Sequence, residues 1–304
     1  MAGSGAAIDP LIDVAIVTWN TRETTLKALA TLSAVAPAGT RILLRDNGSS
    51  DGTPEAIAAA FPGVELDAGA DNLGFAGGVN TILRRSTAPW VLLLNSDAWP
   101  EPGALERLIE CAKRHPRAAA VAPTLRRPDG SQEVTCWPFP SIRVTVASGR
   151  RSYDALRRHG EEHAVDWAVG AALLIRRAAL DELGGLDDSL FMYAEDLEWC
   201  WRAHDAGWEI WLAPEAVVRH VGNASGAKRY GATQPAAWIP NSVRIYRRRR
   251  GVVATRLWQL TNALGSRWAA RRSTRRGDHT HAEQLLLQSR AWVRPLRYAD
   301  DGRR

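Results

Sequence analysis

Short apolar runs alternating with helical stretches organise the first 125 residues. The runs "DVAIVTW" (13–19), "RILLRD" (41–46), "VELD" (64–67), "WVLLL" (90–94) and "AAVAPTL" (119–125) predict strands. The segments between them predict helices near 22–35, 54–60, 75–86 and 102–114. Continuous apolar runs of this length suit strands buried on both faces, and their alternation with helices predicts a parallel sheet of βαβ units. In "GSSDGTPEAI", Asp51-Gly52 turns the chain, Thr53 can cap the next helix and Pro54 suits its first turn. Residues 126–164 mix Pro, Gly and Arg without periodicity and are expected to be an insertion or linker. Beyond them "VDWAVGAALLIRR" (165–177) predicts a strand, and "AALDELGG" a short helix closed by glycines. "EDLEWCWRAHDAG" (195–207) predicts a helix with acids in its first turn, and "WEIWLAP" and "AVVRHV" two more strands.

The C-terminal pattern differs. Val253, Leu257, Leu260, Leu264 and Trp268 recur at helical spacing, with Arg256, Arg267, Arg271 and Arg272 among them. A basic amphipathic helix of this kind can lie in a membrane interface; it can equally pack its apolar stripe on the sheet with Arg facing solvent. The domain reading is therefore a body over residues 11–248, with halves 11–125 and 165–248, and a basic helical tail over 249–304.

Charge sharpens this division. Between Arg244 and Arg304 there are sixteen Arg, no Lys and four acids, net +12, which leaves −6 on the rest of a chain whose total is +6. A near-neutral body with a basic end implies an anionic partner for the tail. With 45% hydrophobic residues the chain has the composition of a globular protein, and its longest apolar stretch, Trp167–Ile175, is about half the roughly 20 residues of a membrane span. The N-terminus does not read as a signal peptide. Cys111, Cys136 and Cys200 are scattered and odd in number, which favours a reducing cytoplasm over a disulfide framework or a zinc site.

Candidate chemistry gathers at predicted strand ends. The first ends at Thr18-Trp19-Asn20, the second at Asp46-Asn47-Gly48-Ser49-Ser50-Asp51, and the fourth at Asn95-Ser96-Asp97. "DNLGFAGGVN" (71–80) adds three glycines at a strand-to-helix junction. In a parallel sheet these segments converge on one edge, where ligands of open α/β folds bind and where backbone N–H groups can meet phosphate. There is no G-x-G-x-x-G after the first strand and no G-x-x-x-x-G-K-[ST], so a dinucleotide oxidoreductase and a P-loop NTPase lose support.

In order and spacing, "IVTWNTRETTLKALATL", "RDNGSSDGT", "NLGFAGGVN", "LLLNSDAWPEPGAL", "DWAVGAALLIRR", "GGLDDSLFMYAEDLEWCWRAHDAGW" and "VRHVGNAS" resemble glycosyltransferase family 2, and within it the rhamnosyltransferase-like branch. The resemblance covers roughly residues 11 to 248. It implies a GT-A fold: a Rossmann-like α/β architecture with a mostly parallel central sheet flanked by helices, here carrying the C-terminal helical extension. It also implies inverting transfer from a nucleotide-diphospho-sugar. Thr18, Asn20, Asp46, Asn47 and Asp51 match the positions that hold the nucleotide; Asn72, Gly74 and Asn80 border the donor, with Asn95 and Ser96 beside it. Asp97 matches the last acid of the Asp-x-Asp metal motif, whose first acid is Asn95 here, and His220 matches a histidine near the diphosphate or metal. One carboxylate still suits Mg²⁺ or Mn²⁺, which complete their shells with phosphate and water. Asp196 matches the catalytic base, with Glu195, Trp167 and Gly170 on the acceptor side.

The chemistry suits those roles. A cation stabilises the departing diphosphate, and a carboxylate removes the acceptor's proton. On residues alone, Glu195 and Asp196 could simply favour a helix N-terminus, and His220 could be a hydrogen-bonded structural group. The expected donor is dTDP-rhamnose and the expected acceptor a glycan or polyprenyl-diphosphate-linked sugar. A UDP-sugar donor, a secondary-metabolite acceptor and a non-catalytic nucleotide-sugar-binding protein are the alternatives. No nucleic-acid motif accompanies the Arg-rich tail. The tail and the lipid acceptor together would place a cytoplasmic protein on the inner face of the plasma membrane.

Overall fold

A computed structural model describes residues 11–150, 160–222 and 224–294. The N-terminal ten residues, residues 151–159 of the expected linker, Asn223 of "VRHVGNAS" and the arginines at 297, 303 and 304 lie outside the described residues.

The N-terminal half follows the alternation in its sequence: β1 (Ile12–Thr18), α1 (Arg22–Val35), β2 (Thr40–Asn47), α2 (Thr53–Ala60), β3 (Glu65–Gly69), α3 (Gly74–Leu83), β4 (Trp90–Asn95), a short β5 (Ala98–Pro100), α4 (Ala104–Arg114) and β6 (Ala118–Arg126). There follow β7 (Cys136–Trp137), α5 (Ile142–Arg150), β8 (His163–Val165), β9 (Trp167–Ala168), β10 (Ala172–Arg176), α6 (Arg177–Leu183), α7 (Glu195–Asp205), β11 (Glu209–His220), α8 (Ala224–Tyr230), α9 (Ile239–Arg275) and α10 (His279–Val293).

Nine strands form one sheet, ordered β3-β2-β1-β4-β10-β6-β11-β5, with β8 on β11. β1, β2, β3, β4, β6 and β11 share one direction, whereas β10, β5 and β8 run against their neighbours. β1 shows why its run is apolar throughout: Ile12, Val14 and Ile16 enter the core on one face of the sheet, Ala15 and Val17 the core on the other. Each fully buried aliphatic side chain there stabilises the fold by about 2 kcal/mol. A third core joins Leu190, Leu197 and Trp201 to Ile245, Tyr246 and Trp258 of α9 and Trp292 of α10.

Three expectations are corrected. The strand expected over 165–177 is two: β9 pairs with β7, β10 with β4 and β6, and Val169–Ala171 cross between them. The two strands expected after Gly207 are one, β11, bulged between Ala213 and Val217. Pro214 lacks an N–H for the ladder, and its carbonyl is instead taken by Thr124 Oγ1 at 2.9 Å. Finally, 126–164 is more than a linker, since it contributes β7, α5 and β8. Among the described residues no helix is long and apolar enough to cross a membrane.

Candidate active site

The carboxyl ends of β1, β2 and β4 open into a cavity of about 250 Å³ that is walled on its far side by residues 169–171, 191–196 and α8. Below it, Thr18 Oγ1 bonds to Thr21 (2.8 Å) and Thr25 (2.9 Å), and Thr21 reaches Ser96 Oγ at 3.1 Å. This buried hydroxyl cluster ties the end of β1 to the end of β4. Asn47 Nδ2 donates to the Gly74 carbonyl (2.9 Å) and Asn72 Oδ1 accepts from the Gly74 N–H (2.9 Å), so both asparagines tie β2 to the start of α3. Gly74 has φ +73°, and a Cβ there would overlap the Phe191 carbonyl; only glycine permits that approach.

The pairing of β5 with β11 sets His220 opposite Ala98, and the Val221 N–H donates to the Asp97 carbonyl at 3.0 Å. His220 Nε2 then lies 3.4 Å from Asp97 Oδ1 and 3.3 Å from Asn95 Nδ2. Its Nδ1 lies 2.9 Å from Glu133 Oε2. Burial opposes a charge on His220, but the hydrogen bonds and charges of Asp97 and Glu133 outweigh it and lift the imidazole pKa to about 9. A carboxylate behind the imidazole is also the arrangement that fixes the tautomer of a metal-ligating histidine, with Nε2 turned towards the ion. Asp97 and His220, both buried at the cavity wall, therefore form a donor set that fits a divalent cation.

Asp196, the second residue of α7, also lines the cavity. Its Oδ2 accepts from the Gly170 N–H at 2.9 Å and its Oδ1 from the Leu197 N–H at 2.7 Å. Burial raises its pKa, and the two N–H groups hold the rise back by favouring the carboxylate. Glu195 is buried, its Oε2 has no hydrogen-bond partner, and burial together with the Asp196 charge pushes its pKa well above the carboxylate range. Both carboxyls of the pair are pushed towards the neutral form, Glu195 the more strongly. Just before it, Phe191, Tyr193 and Ala194 all have positive φ, conformations that cost about 1 kcal/mol or more each outside glycine. Asn241 of α9 braces this stretch: its Nδ2 reaches the carbonyls of Leu190 (2.7 Å), Met192 (3.0 Å) and Tyr193 (3.0 Å).

The cavity thus gathers Thr18, Asn47, Asn72, Gly74, Asn95, Ser96, Asp97, Gly170, Glu195, Asp196 and His220. The remaining candidates are not among its lining residues. Asn20 receives the Ser50 N–H at 2.8 Å, and Asp51 receives the N–H groups of Arg22 and Thr53 at 3.2 Å each. Asp46 takes the Ser49 N–H at 2.8 Å while its buried Oδ2 has no partner. Asn80 grips the Leu186 backbone with both ends of its amide (2.8 and 2.9 Å), and Trp167 Nε1 donates to the Pro138 carbonyl at 3.2 Å.

Sequence reasoning missed Glu133, Tyr193 and Arg229, which also line the cavity. Glu133 carries no local signal, because it lies in the stretch without periodicity. Lys228 and Arg229 offered one: two cations in sequence, just beyond "HVGNAS". In the structure Lys228 Nζ reaches the Asn20 carbonyl and Arg229 stands 5.2 Å over the Phe191 ring. Elsewhere, ligand atoms of Cys111, His115 and Glu162 lie within 4.8 Å of one another. Arg114 already pairs with Glu162, and burial foremost pushes the Cys111 thiol up to about 12, so this is a polar knot on the sheet's edge.

Residues 13–184 match Glycosyl transferase family 2. The chain belongs to that family. It is 32% identical over 235 residues to the N-acetylglucosaminyl-diphospho-decaprenol L-rhamnosyltransferase of Mycobacterium tuberculosis, covering 69% of this chain and 76% of that one. It is 24% identical over 266 residues to the glycosyltransferase AglE of Haloferax volcanii, covering 84% and 82%. Among solved structures, the mannosyltransferase PcManGT from Pyrobaculum calidifontis in complex with GDP-Man and Mn²⁺ superposes with a TM-score of 0.58 at 18% identity, covering 94% of this chain and 88% of that one. The fold is GT-A, and the protein is a glycosyltransferase near the rhamnosyltransferase branch.

Proposed function

We propose that this glycosyltransferase moves rhamnose from dTDP-rhamnose, with inversion and with a divalent cation, onto a sugar carried by a polyprenyl diphosphate. The observation that carries the reading is the cavity itself, which Asp97, Glu133, Asp196 and His220 line together. The choice of sugar and acceptor is supported by the rhamnosyltransferase relative, whose acceptor is N-acetylglucosaminyl-diphospho-decaprenol.

Asp97 and His220 would hold the cation, which would supply Lewis-acid neutralisation of the charge on the leaving diphosphate. An imidazole in the donor set favours Mn²⁺ over Mg²⁺, which takes oxygen ligands. Glu133 accepts the Nδ1 proton of His220, so Nε2 is the nitrogen that would give up its proton to ligate the cation. Arg229 adds positive charge to the cavity lining, with Lys228 next to it on the Asn20 carbonyl. Asp196, whose charged form the Gly170 and Leu197 amides favour, takes the acceptor's hydroxyl proton as the oxygen attacks the anomeric carbon. The new glycosidic bond forms, the sugar–phosphate bond breaks on the opposite face, and its electron pair leaves with the diphosphate. Such an acceptor would put the enzyme's work at the inner face of the plasma membrane.

The test is direct transfer. Purified protein is mixed with dTDP-rhamnose, a short-chain polyprenyl-diphosphate-linked N-acetylglucosamine and Mn²⁺, and the product is read by mass spectrometry and its anomeric configuration by NMR. A rhamnosylated lipid of inverted configuration, lost on chelation, is expected. Transfer only from a UDP-sugar, or undiminished transfer in chelator, would overturn the donor or the metal assignment respectively.

A further inference from the structure

The tail resolves the choice its sequence left open. α9 breaks at Gly251, whose φ of 76° and ψ of 177° are not helical. Beyond that point, Thr255, Trp258, Gln259, Ala263 and Ala270 are buried, against α10 and the third core. The expected apolar stripe points the other way. Val253 is 75% exposed, Leu257 and Leu260 52%, Leu264 67% and Trp268 50%. At 3.6 residues per turn these five fall within an arc of about 80°.

Arginine frames the stripe. Arg256 and Arg267 lie along one side of it, while Arg271 and Arg275 continue its line past Trp268; all four are exposed. Between Gly251 and Gly277 there are six Arg and no acid. The guanidinium of Arg272 lies 4.6 Å from the Trp268 ring centre.

We infer that this outer face of α9 is a docking surface for an anionic lipid bilayer, with the leucines and Trp268 entering the acyl boundary and the arginines meeting phosphate headgroups. Charge selects this occupant over a second copy of the chain. Two such faces apposed would bring arginines together with no acid to offset them. It also selects it over nucleic acid, since leucines, not polar groups, occupy the middle of the face. The consequence for catalysis deepens the proposed function and rests on it. The first half of α9 holds the Leu190–Tyr193 backbone through Asn241, so a docked tail fixes the acceptor side of the cavity next to the membrane that carries the acceptor.

The experiment is co-sedimentation of the full chain with phosphatidylglycerol vesicles and with phosphatidylcholine vesicles, at low and high salt. Binding to the anionic vesicles that weakens with salt is expected. The double variant Leu257→Asp/Leu264→Asp should bind about tenfold more weakly or worse, with an unchanged Tm because both positions are exposed. The triple variant Arg256→Gln/Arg267→Gln/Arg271→Gln should lose the preference for anionic lipid. Leu264→Lys serves as a second probe, since it adds charge while removing apolar surface; weaker binding supports insertion. The inference fails if the wild type stays in the supernatant, or if the leucine variants pellet as well as it does. It also fails if wild type forms a dimer that these variants dissolve and does not bind vesicles. Transfer to a short, water-soluble acceptor separates the two readings: kept in the double variant, it leaves the reaction standing whatever the vesicles show; absent in the wild type, it removes the reaction and leaves the docking result intact.

Discussion

Glu133 and His220 meet at 2.9 Å, Oε2 to Nδ1, although 87 residues separate them in the chain. The contact turns the other ring nitrogen towards Asp97, and it defines how a cation would be gripped. Glu133→Gln keeps the shape and removes the charge that supports the ring. The Mn²⁺ concentration for half-maximal rate should rise about 10- to 100-fold, with kcat at saturating Mn²⁺ largely retained. Calorimetric titration of Mn²⁺ into the nucleotide-bound protein checks the same shift without turnover. Unchanged affinity would remove Glu133 from the site.

Asp196→Asn deletes the proton acceptor and leaves the Gly170 N–H a partner. The kcat for transfer should fall by about 10²–10⁴, the usual worth of a positioned base. The rise in Tm on adding donor and Mn²⁺ should survive, because Asp97 and His220 are left untouched. Loss of both effects together would instead make Asp196 a folding residue.

Glu195 gives the pH dependence. Its folded-state pKa is raised above the unfolded value near 4.5 by burial and by Asp196. The proton it holds therefore stabilises the fold fully below about pH 4.5, and that contribution disappears as pH climbs through the raised value. Glu195→Gln is exempt from this loss. The Tm of the variant relative to wild type should increase steadily from pH 4 to pH 8, read by scanning calorimetry without metal. A constant difference would show that folding leaves the proton affinity of Glu195 unchanged.

Asn241→Ala removes the amide that holds three carbonyls of a backbone with positive-φ residues. A cost of about 1–3 kcal/mol in stability is expected from the orphaned carbonyls. A larger proportional loss should appear in kcat than in donor affinity, because the stretch leads straight into Asp196. Initial rates beside donor-induced Tm shifts check the split.

Much of the fold was legible because β1, β2, β4 and β6 are apolar on both faces, a pattern that solvent-exposed elements do not produce. The bend at Val169–Ala171 was not: Trp167 to Ile175 is uninterrupted in hydropathy, and only the pairing partners reveal two strands. β5 is three residues long, too short for any periodicity, yet it sets His220 beside Asp97. Asp97, Asp196 and His220 were nameable from their motifs. Glu133 was not, since nothing around it repeats and its importance arises from a partner far along the chain. The backbone partners of Asn80 and Asp51 were likewise beyond the reach of any local pattern.

The Asp97–His220 separation is set by the ladder between β5 and β11, a length of main chain rather than a fit between side chains. Main-chain spacing is indifferent to what surrounds it. Sugar preference can therefore drift through Tyr193, Phe191 or Arg229 while the ruler stays the same, and a designer seeking a new product should vary those positions and leave the ruler alone.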